Sequence, residues 1–238
     1  MTEAVNAYVD GFNLYFGALY DRPHCKWLDV RKLVQRLAGG REVGDVYYFS
    51  AQIKQSQDDP SAPNRQNYYL RALRESGTTV VLGSFRKHSG YMNFASENPE
   101  TLTKPPLEMI HHDPRSFTSD LFRIAKPALP QAHVAKFEEK GSDVNLASHL
   151  LRDVFKGRLK RAMVITGDTD LITPIRMARD EGAFVHSVIP RRSSASREFE
   201  TIANYTEFLN EEVLLASQFD TDLHFKNGKK AVRPKSWA

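Results

Sequence analysis

The chain has 238 residues, 41% of them apolar and 26% charged, which is enough to bury one core and most simply indicates one domain with an insertion or tail. Cys25 is the only cysteine, which excludes an intrachain disulfide and a cysteine-rich zinc cluster, while the net charge of +4 permits a polyanionic partner without requiring one. No apolar stretch is long enough to span a bilayer, and Met1-Thr2-Glu3-Ala4 lacks the basic and apolar regions of a signal peptide, so we expect a soluble, cytoplasmic protein with no membrane partner.

The first third of the chain alternates predicted strands with predicted helices. The strands cover 5–9, 45–50 and 78–82, and the helices cover 30–37 and 65–76. A further helical pattern follows Asp10-Gly11. The second helix is expected to be capped by Asp29 and to stop at Gly39-Gly40. Strands that alternate with helices are typical of a parallel α/β sheet.

The regular pattern fails between Ser84 and Ala132, where repeated prolines indicate an insertion that loops over the sheet. Alternation then returns, with strands at 133–137, 162–166 and 183–189 and helices at 143–155 and near Pro174. The predicted fold is α/β, a three-layer Rossmann-like parallel sheet with helices on both faces and an irregular insertion. We expect a domain over 1–195 with the insertion at 85–132, and a C-terminal helical segment and basic tail over 196–238.

Four aspartates stand near the ends of predicted strands or at the start of a helix. Asp10 follows the first strand, Asp143 opens a helix after Lys140-Gly141-Ser142, and Asp168 and Asp170 follow the strand that ends at Thr166. If the strands are neighbours in one parallel sheet, these carboxylates converge at the edge where such sheets bind ligands. Carboxylates with no thiolate or paired histidine beside them suit a hard cation such as magnesium or manganese.

Each aspartate also has a purely structural explanation. Asp10 before glycine is a favoured turn or cap residue, and Asp143 in the first turn of a helix interacts favourably with the helix dipole. Asp168 and Asp170 are harder to explain in this way, because a cap uses only one of two carboxylates that otherwise repel each other. The prediction of a site therefore depends on the convergence of these residues in space.

Three segments resemble the NYN domain proteins of the LabA-like group, in the PIN-like nuclease superfamily. They are Tyr8-Val-Asp-Gly-Phe-Asn-Leu-Tyr15, Glu139-Lys-Gly-Ser-Asp-Val-Asn-Leu146 and Val164-Ile-Thr-Gly-Asp-Thr-Asp-Leu171, followed by Pro174. The similarity covers about residues 4 to 190. It implies a PIN-like sheet whose acidic pocket binds one or two divalent cations and hydrolyses phosphodiester bonds, usually of RNA.

The resemblance also implies the roles of individual residues. Asp10, Asp143, Asp168 and Asp170 would be the catalytic, metal-binding acids for Mg²⁺ or Mn²⁺, and Asn13 and Thr166 would be the polar support of the pocket. Many relatives carry a further acid about six residues after the position of Asp143, where this chain has His149. Either the second metal site lacks a ligand, or His149 is a surface residue.

Arg191 and Arg192, after the last predicted strand, are candidates to bind substrate phosphates, because the carboxylates alone would repel a nucleic-acid backbone. Aromatic residues of the insertion, Phe85, Tyr91 and Phe94, could stack on unpaired bases or cover the sheet. No Gly-x-Gly-x-x-Gly or Gly-x-x-x-x-Gly-Lys motif is present, which argues against a dinucleotide or nucleoside triphosphate loop.

Three functional hypotheses follow. The first is a divalent-metal-dependent endoribonuclease that acts on single-stranded RNA. The second is a non-catalytic module of the same fold that binds RNA or a regulatory partner. The third is oxidative hydroxylation of a small aromatic, pyridine-type substrate with a nicotinamide cofactor, which some relatives are assigned. A homodimer remains an open option.

Overall fold

In a computed structural model, residues 3–53, 59–93, 131–193, 196–224, 228 and 230–237 are described. The chain divides into two compact units. The first comprises Met1–Phe85 and Glu139–Ala238 and contains the predicted site residues. The second comprises Arg86–Glu138, and its described residues are strand residues. Most of the predicted insertion, 94–130, lies outside the described residues, and the predicted division at residue 195 stays a prediction.

Within the described residues, the main sheet contains seven strands in the order β4-β3-β2-β1-β5-β6-β7. Six of these strands pair with their neighbours in parallel, in the order β3-β2-β1-β5-β6-β7. The strands are β1 (Val5–Asp10), β2 (Val43–Ala51), β3 (Thr79–Asn93), β4 (Gln131–Lys140), β5 (Arg161–Ile165), β6 (Phe184–Ile189) and β7 (Tyr205–Phe208). This arrangement confirms the predicted Rossmann-like α/β fold.

Helices cover both faces of this sheet, as the continuous apolar runs of its strands predict. The helices are α1 (Gly11–Leu14), α2 (Val30–Leu37), α3 (Ala62–Glu75), α4 (Ser142–Phe155), α5 (Ile172–Asp180), α6 (Ser196–Ile202) and α7 (Glu211–Ala216). One apolar cluster joins the sheet to α1, α2, α3 and α7, and a second joins it to α4, α5 and α6. Fully buried leucines such as Leu33 and Leu150 each contribute about 2 kcal/mol of burial free energy.

Local signals in the sequence determine where several helices begin and end. Asp29 caps α2, because its carboxylate accepts hydrogen bonds from the backbone N–H groups of Arg31 and Lys32. Gly39 and Gly40, with φ of 60° and 79°, turn the chain after that helix. The predicted bounds of α2 and α4 agree with the structure to within one residue at each end.

The C-terminal segment is more ordered than the sequence predicts. It adds the short strand β7 to the sheet, then α7 and an antiparallel hairpin of β8 (Asp222–His224) and β9 (Lys230–Val232). Trp27 anchors the segment: its ring packs on Phe219 and Trp237, and its Nε1–H donates to the Asp220 carbonyl at 2.9 Å. The burial of these rings explains why a polar, basic segment is held on the core.

No helix in the described part of the chain combines the length and the apolar character that crossing a bilayer would require.

Candidate metal-binding site

Two neighbouring parallel strands end at the candidate site. β1 pairs with β5 so that Val9 lies opposite Ile165, and Asp10 at the end of β1 therefore lies beside the first residues after β5. On one side of β1 the sheet continues with β2 and then β3. On the other side it continues with β5, β6 and β7. The β1–β5 junction is thus the point where the strand order reverses, which is where parallel α/β sheets bind ligands.

Asp10 is a buried carboxylate, 3% exposed, whose two oxygens both accept hydrogen bonds. The backbone N–H of Asn13 donates to Oδ1 at 2.9 Å, and the hydroxyl of Thr166 donates to Oδ2 at 3.0 Å. Burial, reinforced by the nearby Asp143 and Asp168, raises the pKa of Asp10 from 3.8 to about 6 despite these hydrogen bonds. The charged form of Asp10 therefore destabilises the fold, and a bound cation would relieve that cost.

Asp143 and Asp168 complete a group of three carboxylates. One oxygen from each of Asp10, Asp143 and Asp168 lies within 4.8 Å of the others. Asp143 is placed by the first turn of α4, and Asp168 by its position as the cap of a short 3₁₀ helix, Thr169–Leu171. The sequence predicts this convergence, and the distances suit oxygen ligands around one hard cation.

Asp170 is not among the three carboxylates that lie within 4.8 Å of one another, and its predicted role as a metal ligand stays a prediction. It is exposed and lies inside the 3₁₀ turn, where its backbone N–H donates to Oδ1 of Asp168 at 3.0 Å. The turn uses Asp170 through its backbone to orient Asp168. This explains why two aspartates two residues apart occupy different environments.

Asn13 and Thr166 connect the turns that carry the carboxylates. The Thr166 hydroxyl, besides donating to Asp10, accepts from the backbone N–H of Asp168 at 3.1 Å. The Asn13 side-chain oxygen accepts from the backbone N–H of Gly167 at 2.8 Å. The end of β1 and the end of β5 are thereby bonded to each other, which fixes Asp10 relative to Asp168.

A glycine is required directly after Asp10. A Cβ on Gly11 would lie 2.5 Å from a ring carbon of Tyr48 and 2.7 Å from the carbonyl oxygen of Phe49. The first turn of α1 therefore packs closely against β2. Any larger residue would displace the turn that positions Asp10.

His149 is partly buried on α4 rather than a freely solvated surface residue. Its Nδ1 lies 2.8 Å from the carbonyl oxygen of Asn145, and its ring lies 5.4 Å from the ring of Tyr47 and 5.3 Å from that of Phe49. These contacts hold His149 against β2 in a packing role.

Arg191 and Arg192 are exposed at the end of β6, on the same edge of the sheet as the carboxylates. The Arg192 guanidinium lies 3.9 Å from the centre of the Phe208 ring, a cation–π contact that orients it. Their role in substrate binding stays a prediction. The side chains of Phe85, Tyr91 and Phe94 lie outside the described residues.

An aromatic face beside the site was missed by the sequence analysis. Phe12, Phe16 and Tyr20 lie four residues apart from one another, shortly after Asp10. Their rings are neighbours along one helical segment. Their spacing is visible in the sequence, but the helical pattern predicted after Asp10-Gly11 did not include Phe16 or Tyr20. The exposure of Phe16 and Tyr20 becomes apparent only in the structure.

Two other features lie away from the three carboxylates. His24, Cys25 and Glu211 also place possible ligand atoms within 4.8 Å of one another, but His24 Nε2 and Glu211 Oε1 are already hydrogen-bonded at 2.8 Å. A cavity of about 520 Å³ opens at the opposite, amino edge of the sheet, and Arg161 and His186 are among its lining residues. None of the predicted site residues lines this cavity.

Comparison with known proteins matches part of the chain to one family. The model of the NYN domain family matches residues 109–210, a range that includes Asp143 and Asp168, while Asp10 precedes it. Residues 109–210 therefore match an NYN domain, and the Rossmann-like parallel sheet is consistent with such a domain.

Individual relatives are more distant. The chain is 26% identical over 255 residues to 6-hydroxy-3-succinoylpyridine 3-monooxygenase HspA of Pseudomonas putida, covering 97% of this chain and 74% of that protein. The chain is also similar to the crystal structure of a protein of unknown function from Vibrio parahaemolyticus, with 15% sequence identity and a TM-score of 0.47. The alignment covers 89% of this chain and 95% of that protein.

Proposed function

We propose that this protein is a divalent-metal-dependent endoribonuclease, of the LabA-like group, that hydrolyses phosphodiester bonds of single-stranded RNA in the cytoplasm. The observation that carries the proposal is the group of three carboxylates, Asp10, Asp143 and Asp168, within 4.8 Å of one another at the carboxyl edge of the sheet. The NYN family match supports a nuclease-type activity on nucleic acid.

The donor set suits Mg²⁺ or Mn²⁺, because all three groups are carboxylates and such oxygens are the ligands that hard cations prefer. Asp10, Asp143 and Asp168 would hold the ion, and Asp170 would act beyond them through the turn that orients Asp168. When bound, such an ion lowers the pKa of a coordinated water and offsets the negative charge that develops on the phosphate.

The remaining residues of the site would position groups. Asn13 and Thr166 keep the two carboxylate-bearing turns in register, so that Asp10 and Asp168 present their oxygens without rearrangement. Arg191 and Arg192 would bind backbone phosphates next to the site, which reduces the repulsion between RNA and the acidic group.

A cleavage assay distinguishes this nuclease from an RNA-binding module of the same fold. Labelled single-stranded RNA is incubated with the protein and manganese, with and without chelator. We expect cleavage that the chelator abolishes and that Asp168→Asn reduces by orders of magnitude, since the near-isosteric amide removes a charged ligand. Asp45→Asn, at an exposed aspartate of β2, is the matched control and should cleave at the parental rate.

Two outcomes would contradict the proposal. Cleavage by Asp168→Asn at the parental rate would exclude this group of carboxylates as the active site. RNA binding without any manganese-dependent cleavage would favour the non-catalytic module. In the same assay, Arg192→Ala should mainly weaken RNA binding and reduce its salt dependence by about one phosphate contact.

A second candidate function is supported by the relative that is named a monooxygenase of a succinoylpyridine. On this alternative, the chain would hydroxylate a small pyridine-type aromatic with molecular oxygen, one atom entering the product and the other leaving as water, and with a reduced nicotinamide cofactor as the two-electron donor. The test is the oxidation of reduced nicotinamide in the presence of 6-hydroxy-3-succinoylpyridine, together with an absorbance spectrum for a bound flavin. Substrate-dependent oxidation by the wild-type protein would favour this activity over the nuclease.

A further inference from the structure

The helical segment after Asp10 presents aromatic rings to solvent. Phe16 is 59% exposed and Tyr20 is 55% exposed. Ring centres lie 6.4 Å apart between Phe12 and Phe16 and 5.8 Å apart between Phe16 and Tyr20. These three residues, here called the aromatic face, form a continuous row of rings in which Phe12 is half-buried and the other two are exposed. Exposed apolar residues that need no explanation are scattered singly.

The backbone geometry of this segment is unusual. α1 continues directly into a π-helical turn, Tyr15–Leu19, and such turns occur frequently at functional sites. Gly17, within that turn, lies against the loop after β6: a Cβ there would be 2.8 Å from Pro190 and 3.6 Å from atoms of Arg191. The segment that carries the aromatic face is therefore packed directly on the segment that carries the arginines.

Cations flank the aromatic face. Lys26 Nζ lies 5.3 Å from the ring centre of Tyr15 and 5.5 Å from that of Tyr20. Arg191 is exposed on the adjoining loop, next to Gly17, whereas the Arg192 guanidinium lies over Phe208. Exposed rings next to positive side chains match a ligand that alternates flat bases with phosphates, as an unpaired nucleic-acid strand does.

The aromatic face also begins at the carboxylates. Asp10 is the cap residue of α1, so Phe12 lies only two residues beyond the proposed metal ligand. We propose that Phe12, Phe16 and Tyr20 form a stacking platform for unpaired bases of single-stranded RNA, which leads the strand to Asp10, Asp143 and Asp168. The end point of this path rests on the proposed function, while the platform itself is tested by binding alone.

The experiment compares Phe16→Ala with Phe155→Ala, because both side chains are 59% exposed and Phe155 lies at the end of α4, outside the aromatic face. The probes are a fluorescent oligouridylate and an abasic ribose-phosphate strand of the same length, with chelator present so that no cleavage occurs. Fluorescence anisotropy gives the affinity of each protein for each strand, and circular dichroism confirms that each variant is folded.

We expect the wild-type protein to prefer the oligouridylate over the abasic strand. Phe16→Ala should bind the oligouridylate roughly five- to 150-fold more weakly, the range that corresponds to losing one base–aromatic stack, and should bind the abasic strand as before. Phe16→Tyr should restore the affinity, and Phe155→Ala should match the wild type.

Several results would overturn the platform. Equal affinity of the wild-type protein for both strands would show that bases are not recognised. Equal loss in Phe16→Ala and Phe155→Ala, or no loss in either, would remove the aromatic face from binding. Phe16→Ala that binds RNA normally but no longer binds 6-hydroxy-3-succinoylpyridine would assign the rings to a small aromatic ligand instead.

Failure of the platform and failure of the nuclease are distinguishable. A base-dependent loss in Phe16→Ala with no manganese-dependent cleavage would keep the platform and reject the nuclease. Cleavage that Asp168→Asn abolishes, together with unchanged binding by Phe16→Ala, would keep the nuclease and reject the platform.

Discussion

Replacement of Asp10 by asparagine should stabilise the metal-free protein at neutral pH. The pKa of Asp10 is about 6 in the folded protein because of burial, against an ordinary value of 3.8 that applies to the unfolded chain. The folded state therefore binds this proton more tightly than the unfolded state. The contribution of Asp10 to stability is fully present below pH 3.8 and is lost as the pH rises through about 6.

The magnitude follows from the two pKa values. The gap between 3.8 and about 6 corresponds to about 3 kcal/mol of stability lost by wild type above pH 7. The side-chain oxygen of the asparagine at position 10 can still accept from the backbone N–H of Asn13. Its amide nitrogen replaces the carboxylate oxygen that accepts from the Thr166 hydroxyl, and a nitrogen of this kind cannot accept that hydrogen bond. That lost hydrogen bond costs about 1 kcal/mol, so we expect a net gain of about 2 kcal/mol.

The assay is urea unfolding of wild type, Asp10→Asn and Asp45→Asn in chelator between about pH 4.5 and 8, a range that brackets the pKa of about 6 of Asp10. The advantage of Asp10→Asn should grow with pH, and the exposed control should follow wild type. Millimolar manganese should stabilise wild type and the control but not Asp10→Asn. A variant that is less stable than wild type at pH 8, or whose advantage does not change with pH, would refute the reasoning.

Two further predictions concern the neighbours of the site. Tyr8→Phe should lower the free energy of unfolding by about 1 to 3 kcal/mol, because the buried Tyr8 hydroxyl donates to Asp153 at 2.9 Å. The measurement is chemical denaturation, and a variant as stable as wild type would contradict this role of the hydroxyl. Asp170→Asn should retain its affinity for manganese, measured by calorimetry, whereas Asp143→Asn should lose it. The reason is that Asp143, unlike Asp170, belongs to the group of carboxylates within 4.8 Å of one another. An equal loss of affinity in both variants would identify Asp170 as a direct ligand.

The parallel α/β character of the main sheet was predictable because most of its strands are continuous apolar runs between clear helices. Asp10 and Asp168 could be brought together from the sequence, since adjacent parallel strands end at one edge. β7 could not be found in this way. It is a four-residue edge strand with no buried residue, and it pairs only because β6 offers it an unpaired edge.

Other features depend on geometry that sequence patterns do not contain. The direction of the Asp170 side chain depends on the 3₁₀ turn after β5. In an extended strand, Asp168 and Asp170 would point to the same face, but in a turn this rule does not apply. Asp153 is buried against Tyr8, 145 residues away, so no local pattern indicates its partner. The exposure of Phe16 likewise depends on tertiary packing, which its position in a helical segment does not indicate.

The most direct test of the proposed metal centre is anomalous diffraction at the manganese edge from crystals soaked in millimolar Mn²⁺. The account predicts a peak bonded to carboxylate oxygens of Asp10, Asp143 and Asp168, with oxygen ligands in octahedral arrangement at roughly 2.1 Å, as for magnesium-type sites. A manganese peak at other residues, or no peak among these three carboxylates, would contradict the assignment of this site as the metal centre.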